Sequence, residues 1–213
     1  MNRLCNLVTT AALVAIISGC APSKPAGPLS KWGFIDKQGK FIILPQFDGA
    51  SEFDKDTAIV KDTKRLIRLQ ADPPVESTTP VGPEDKAELP PLPTLKCAEA
   101  GTDKYKVLDG EEVVFEPGGK GEPPAVMTET GFLCAQFGSQ YGFIDKEGKL
   151  AFGRPFQQAR PFSQGRAAVL EQGKWGYINK KGDFVLKPIY LEAGSFHNGL
   201  APVRVPADAP PAQ

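Results

Sequence analysis

The sequence predicts an all-β protein, a solenoid- or propeller-like array of three-stranded antiparallel meander repeats with a proline-rich disordered insert. Three observations predict it. An aromatic-Gly-aromatic triplet recurs at Trp32-Gly33-Phe34, Tyr141-Gly142-Phe143 and Trp175-Gly176-Tyr177. A turn signature follows each triplet after one residue: Asp36 to Gly39, Asp145 to Gly148 and Asn179 to Gly182. Finally, Trp32, Tyr141 and Trp175 each stand 21 positions before a phenylalanine, namely Phe53, Phe162 and Phe196. Self-similarity at a spacing of about 34 residues marks stacked supersecondary units.

Taken in order, residues 1–19 are a targeting segment and lie outside the fold argument. Arg3 and the amino terminus begin it, Leu4 to Ile17 is uncharged and rich in apolar residues, and Ile17-Ser18-Gly19-Cys20 closes it. An apolar run this short cannot span a bilayer as a helix, which needs about 20 residues. The closing tetrapeptide resembles the bacterial lipobox. That resemblance implies cleavage before Cys20, lipidation of its thiol with acyl chains such as palmitate, and residence in the cell envelope. Two or three chains, at about 0.8 kcal/mol per buried CH₂, anchor stably where one does not. Ala21 in place of Asp implies, by the same resemblance, the outer membrane. Residues 20–30, with Pro22, Pro25 and Pro28, read as an extended tether.

Residues 31–61 form the first module. In a strand, Trp32 and Phe34 share one face and Gly33 the other, where it admits a neighbouring backbone. Asp36 to Gly39 is a turn with Gly at its left-handed position. Phe41 to Leu44 is a second strand that Pro45 is expected to end, and a third precedes Val60. Residues 140–173 and 174–205 repeat the plan, with Asn179 for Asp at the turn. A module cannot bury its aromatic face alone, so the array should. Trp32, Phe34, Phe53, Tyr141, Phe143, Phe162, Trp175, Tyr177 and Phe196 are therefore the expected core.

Between these copies the pattern erodes. Residues 62–104 are an interrupted module: Arg65 to Leu69 stands where an opening strand should, before a proline-rich, acidic insert from residue 71. That composition predicts a disordered loop. Residues 105–139 are a degenerate module, with Tyr105 to Gly110 as a shortened opening and Val113 to Phe115 as the second strand. Residues 206–213 read as a disordered tail.

The three clear copies resemble the WG-repeat (KWG-repeat) family of bacterial proteins. The match covers residues 31–61 and 140–205 well and 105–138 loosely, and it implies an architecture rather than an activity.

Export also bears on the cysteines. With Cys5 lost and Cys20 acylated, Cys97 and Cys134 remain, and two thiols in an oxidising compartment most simply form a disulfide. Twenty-five basic residues balance 25 acidic ones, so no electrostatic footprint points to nucleic acid. His197 is the single histidine, at a turn position. No catalytic set, metal spacing or cofactor motif accompanies it. The expected function is thus non-catalytic: a lipoprotein whose repeats offer a β surface to an envelope protein, a peptide or a glycan. A structural spacer or envelope assembly factor without a ligand is the alternative.

Overall fold

The computed structural model describes residues 30–206, apart from 64, 72–73, 78–80, 83, 102–103, 118 and 120–121. The expected signal peptide, Cys20, the expected tether to residue 29 and the expected tail from residue 207 lie outside the described residues.

Among the described residues the regular structure is almost entirely strand. The first module supplies β1 (Ser30–Ile35), β2 (Phe41–Phe47), β3 (Gly49–Ala50) and β4 (Thr57–Asp62). β5 (Arg65–Ala71) and β6 (Pro74–Ser77) follow, then β7 (Lys96–Gly101) beyond the insert. The degenerate region holds β8 (Lys104–Asp109), β9 (Glu112–Phe115), one short helix α1 (Ala125–Thr130) and β10 (Leu133–Phe137). The last two modules supply β11 (Gln140–Ile144), β12 (Gln158–Ala159), β13 (Ala167–Glu171), β14 (Lys174–Ile178), β15 (Phe184–Tyr190), β16 (Glu192–Ala193) and β17 (Ala201–Pro206).

These strands form four sheets, ordered β16-β17-β1-β2, β3-β4-β5-β6, β11-β10-β7-β8-β9 and β12-β13-β14-β15. No module makes a sheet by itself. Each sheet instead joins the third strand of one module to the opening strand of the next, as β4 to β5, β10 to β11 and β13 to β14. The last strand completes the first sheet, with Ser30 opposite Pro206 and Ile35 opposite Ala201. Pairing is antiparallel throughout except for one parallel bridge, Gln136 to Lys96.

The tight turns form as the sequence predicts. Gly39 N–H donates to the Asp36 carbonyl at 3.0 Å, and Asp36 Oδ1 accepts from the amides of Gln38 and Lys40. Asn179 Oδ1 does the same for Lys181 and Asp183, so the Asp/Asn exchange preserves the cap.

Pro45 does not end its strand. β2 runs through it to Phe47, and β15 runs through Pro188 to Tyr190. Both are edge strands, where a residue lacking N–H is tolerated, and both bulge there. Trp32 pairs with Phe47 while Phe34 pairs with Ile43; Trp175 pairs with Tyr190 while Tyr177 pairs with Leu186. The bulge presses on the intervening glycine. A Cβ at Gly33 would stand 2.7 Å from the Ile43 carbonyl oxygen, and one at Gly176 2.7 Å from that of Leu186. The glycine of the triplet and the proline of the next strand are thus one device.

The cores lie between successive sheets. Trp32, Phe34 and Phe53 share a cluster with Leu69 of β5, Trp175, Tyr177 and Phe196 with Val203 of β17, and Phe143 and Phe162 with Ile178 of β14. These eight expected core residues are buried. Tyr141 is the exception and is only partly buried. Opposite its strand a 3-10 turn at Ala151–Gly153, where Phe152 takes a φ of 62°, replaces a continuous second strand, and Phe156 meets Tyr141 as an isolated bridge.

Cys97 and Cys134 are free, which corrects the expected disulfide. They sit on β7 and β10, whose parallel bridge sets Gln136 beside Lys96. That register staggers the cysteines along the strands by about 10 Å at roughly 3.3 Å per residue, beyond the ~7 Å Cα separation that a disulfide spans. Burial pushes the Cys97 thiol up to about 12 and raises that of Cys134 further. A folded-state pKa above the unfolded one stabilises at pH below the unfolded value and is lost as pH rises toward the folded value. With 9.0 as the ordinary thiol value, this contribution is complete below pH 9 and declines toward pH 12. The urea midpoint should accordingly fall between pH 8 and pH 11, and the native thiols should resist alkylation at pH 8. Rapid alkylation of folded protein would contradict the burial.

Candidate functional site

Three short strands occupy equivalent places in the repeat: β3, β12 and β16, each lying just before the repeat phenylalanine. Each pairs on one side only, with β4, β13 and β17 respectively, and ends its sheet. What passes beside them is the insert. Its described part corrects the expectation of a disordered loop, because residues 84–95 are anchored at intervals. Asp85 bonds Arg68 Nη2 at 2.7 Å, the Ala87 carbonyl lies against Gly49, and the Pro90 carbonyl accepts from Arg160 Nη1 at 2.7 Å. The Leu95 carbonyl accepts from the amide of Gln136, also at 2.7 Å. Leu89, Leu92 and Leu95 pack against three different core clusters. Composition-based disorder assumes too little apolar surface to order a chain; here the array supplies the surface and the insert only the leucines. We call residues 84–95 the strap.

Beside the strap opens a cavity of about 660 Å³, bordered by Trp32, Trp175, Arg160, Arg204 and Glu192, with strap residues 87–92 along one wall. Both repeat tryptophans therefore have a second role at the rim of this groove. Their rings carry guanidinium groups, Arg160 5.7 Å from the Trp175 centroid and Arg204 6.0 Å from that of Trp32, within the range of cation–π attraction.

Arg160 is the pivot. It is 7% exposed, the one charged side chain among the buried described residues. Its Nε donates to the Ala193 carbonyl on β16 at 2.9 Å while Nη1 reaches the strap. Glu52 Oε1 lies 4.0 Å away and accepts the Ser195 amide at 2.6 Å. Burial pulls the Arg160 pKa below its ordinary value and Glu52 opposes the shift; the cation is held by carbonyls rather than freed by water. In the repeat, Ser51, Arg160 and Gly194 are equivalent, each standing two before the repeat phenylalanine. Gly194 leaves room for the strap: a Cβ there would stand 2.9 Å from Leu89 Cδ2.

His197 opens a hairpin turn and is half exposed, with Nδ1 3.8 Å from Glu52 Oε2. Among the described residues no group of His, Cys, Asp or Glu is placed to hold a metal ion, and no helix is long and apolar enough to cross a membrane. Of the residues singled out from sequence, the structure brings Trp32 and Trp175 to the groove. Cys97 and Cys134 lie elsewhere, in the third sheet. Arg160, Glu52, Leu89 and Leu92 escaped sequence reasoning. The signal that could have found the leucines is their three-residue spacing, hidden in a segment read by composition alone.

Searches of curated proteins and of solved structures found no match. The family described as "WG containing repeat" matches residues 32–63, 141–175 and 175–205, the three modules with intact triplets. The eroded region between them, 105–139, falls outside these matches. Triplet, turn and buried phenylalanine recur in all three matched stretches and the bulge in the first and last, and the chain carries three WG-containing repeats.

Proposed function

We propose that this protein is a non-catalytic lipoprotein of a bacterial cell envelope, anchored through Cys20, whose WG repeats close into a propeller-like array and bind a protein, peptide or glycan. Pairing of β17 with β1 supports closure, since it ties the last repeat to the first. The observation that carries the binding role is the groove: two repeat tryptophans, each under an arginine, border one open cavity. A spacer needs a rigid, uniformly polar exterior and has no use for such a cavity. Binding pockets of several hundred Å³ lined by aromatics and a few fixed polar groups are the usual form of a ligand site.

The lipobox-like Ile17-Ser18-Gly19-Cys20 supports the anchor, and the near balance of charge leaves the acyl chains as its main attachment. In cells, Cys20→Ala should abolish incorporation of labelled palmitate and release the protein from the membrane fraction. Persistent labelling would sink the anchor. Crosslinking in cells tests the binding role: a reproducible partner lost in Arg160→Ala supports it, and recovery of none favours the spacer.

A further inference from the structure

The strap has a periodicity of its own. Residues 89–95 read Leu-Pro-Pro-Leu-Pro-Thr-Leu, with leucine at every third position. A polyproline II helix has three residues per turn, so Leu89, Leu92 and Leu95 fall on one edge of such a segment. The three leucines are partly buried against the array, as is Pro93, whereas Pro90, Pro91 and Thr94 are exposed.

Recognition along the strap is of the kind an extended segment allows. A polyproline II chain makes no internal hydrogen bonds, so its carbonyls remain available. Two of them are taken, Pro90 by Arg160 and Leu95 by the Gln136 amide. Among the described residues, the strap between 86 and 95 donates no backbone hydrogen bond to any sheet. It is held by side chains in pockets and by its acceptors, not by a ladder. Arg160 is preset for its part, fixed by the Ala193 carbonyl and lying over Trp175. Grooves lined by aromatics that receive preformed proline-rich segments are a recurrent mode of peptide recognition.

We propose that the strap is a built-in ligand, and that the surface it covers, at the wall of the groove, recognises an extended proline-rich segment of a partner protein with leucine at every third position. The inference rests on the reading of the array as a binding module and names the partner chemistry. The partner enters by way of the open cavity along strap residues 87–92 and displaces the strap. Because the strap competes at high effective concentration, the intact protein binds such a segment weakly until the strap is loosened.

The chain has two tryptophans, and both border the groove, so intrinsic fluorescence reports on it alone. The full-length protein carrying Leu89→Ser and Leu92→Ser should show red-shifted emission. Adding a synthetic peptide of residues 87–96 should reverse that shift, saturating at concentrations about tenfold lower than any response of the unaltered protein. A peptide of the same composition with its leucines out of the three-residue spacing should bind about tenfold more weakly than the native one. If the doubly substituted chain loses its β-sheet circular dichroism, Leu92→Ala alone is read in the same way. A folded variant whose emission ignores the peptide, or answers both peptides equally, overturns the proposal. Should that happen while crosslinking still recovers a partner, the binding module survives and only the proline-rich ligand falls.

Discussion

Phe196→Ala should lower stability by about 3–5 kcal/mol, the cost of emptying a closed aromatic site. Phe196 is fully buried, and its ring meets that of Tyr177 with centroids 4.9 Å apart and planes at 57°. The same pair recurs as Phe143 with Phe162, at 4.9 Å and 57°, and as Phe34 with Phe53, at 5.3 Å and 61°. Each phenylalanine thus packs on the second aromatic of its triplet, 19 residues earlier, and the 21-residue spacing to the first aromatic reflects that contact. Tyr177 adds a hydrogen bond, its hydroxyl donating to the Gly194 carbonyl at 2.8 Å. The measurement is the urea midpoint at constant m-value. Phe196→Leu should recover most of the loss, because it restores volume though not the ring pair. A loss below about 1 kcal/mol for the alanine variant would mean that the site collapses freely and is not the seam between sheets.

Gly176→Ala should cost about 2–3 kcal/mol, although a strand normally gains from replacing glycine with alanine. The reason is contact rather than backbone angle. A Cβ at residue 176 would lie 2.7 Å from the Leu186 carbonyl oxygen and 2.8 Å from the Pro188 nitrogen, all main chain that cannot turn aside. Gly142→Ala is the internal control. There the nearest atoms are the side chains of Leu150 and Phe137, each at 2.9 Å, which can rotate away. Its cost should stay below about 1 kcal/mol. Equal costs at the two positions would show that the bulge does not set the glycine requirement.

Features confined to one module were legible in the sequence. The Asp/Asn-x-x-Gly turns depend on neighbours within four residues, and each formed. The alternating aromatics were readable as a face because strand periodicity is local. Features set by partners across the array were not. Pro45 read as a terminator because a proline cannot donate to a ladder, but only the sheet order shows that β2 is an edge where no donor is needed. Cys97 and Cys134 suggested a bond from compartment and count, while the register of β7 against β10 decides the matter. Tyr141 matched the tryptophans by position, yet the strand opposite it is interrupted at Phe152 and it is only partly buried.

The groove was the least legible part. Its walls come from equivalent short strands far apart in the chain, and its occupant comes from the segment whose composition predicted disorder. Arg160 belongs to no motif, and its role arises because Ala193 and Pro90 offer it carbonyls from two distant places. Only the leucine spacing was available beforehand, and it carries no meaning until a surface is present to read it.

That the strap lies along the repeat array, rather than free of it, is tested most directly by pairing Gly49→Cys with Ala87→Cys. A Cβ at residue 49 would stand 3.6 Å from that of Ala87, inside the ~3.5–4.5 Å window of a disulfide. Under mild oxidation, peptide mapping should find residues 49 and 87 crosslinked in nearly every molecule, with Cys97 and Cys134 still reduced. Two freely alkylated cysteines at 49 and 87 in the folded protein would place the strap elsewhere.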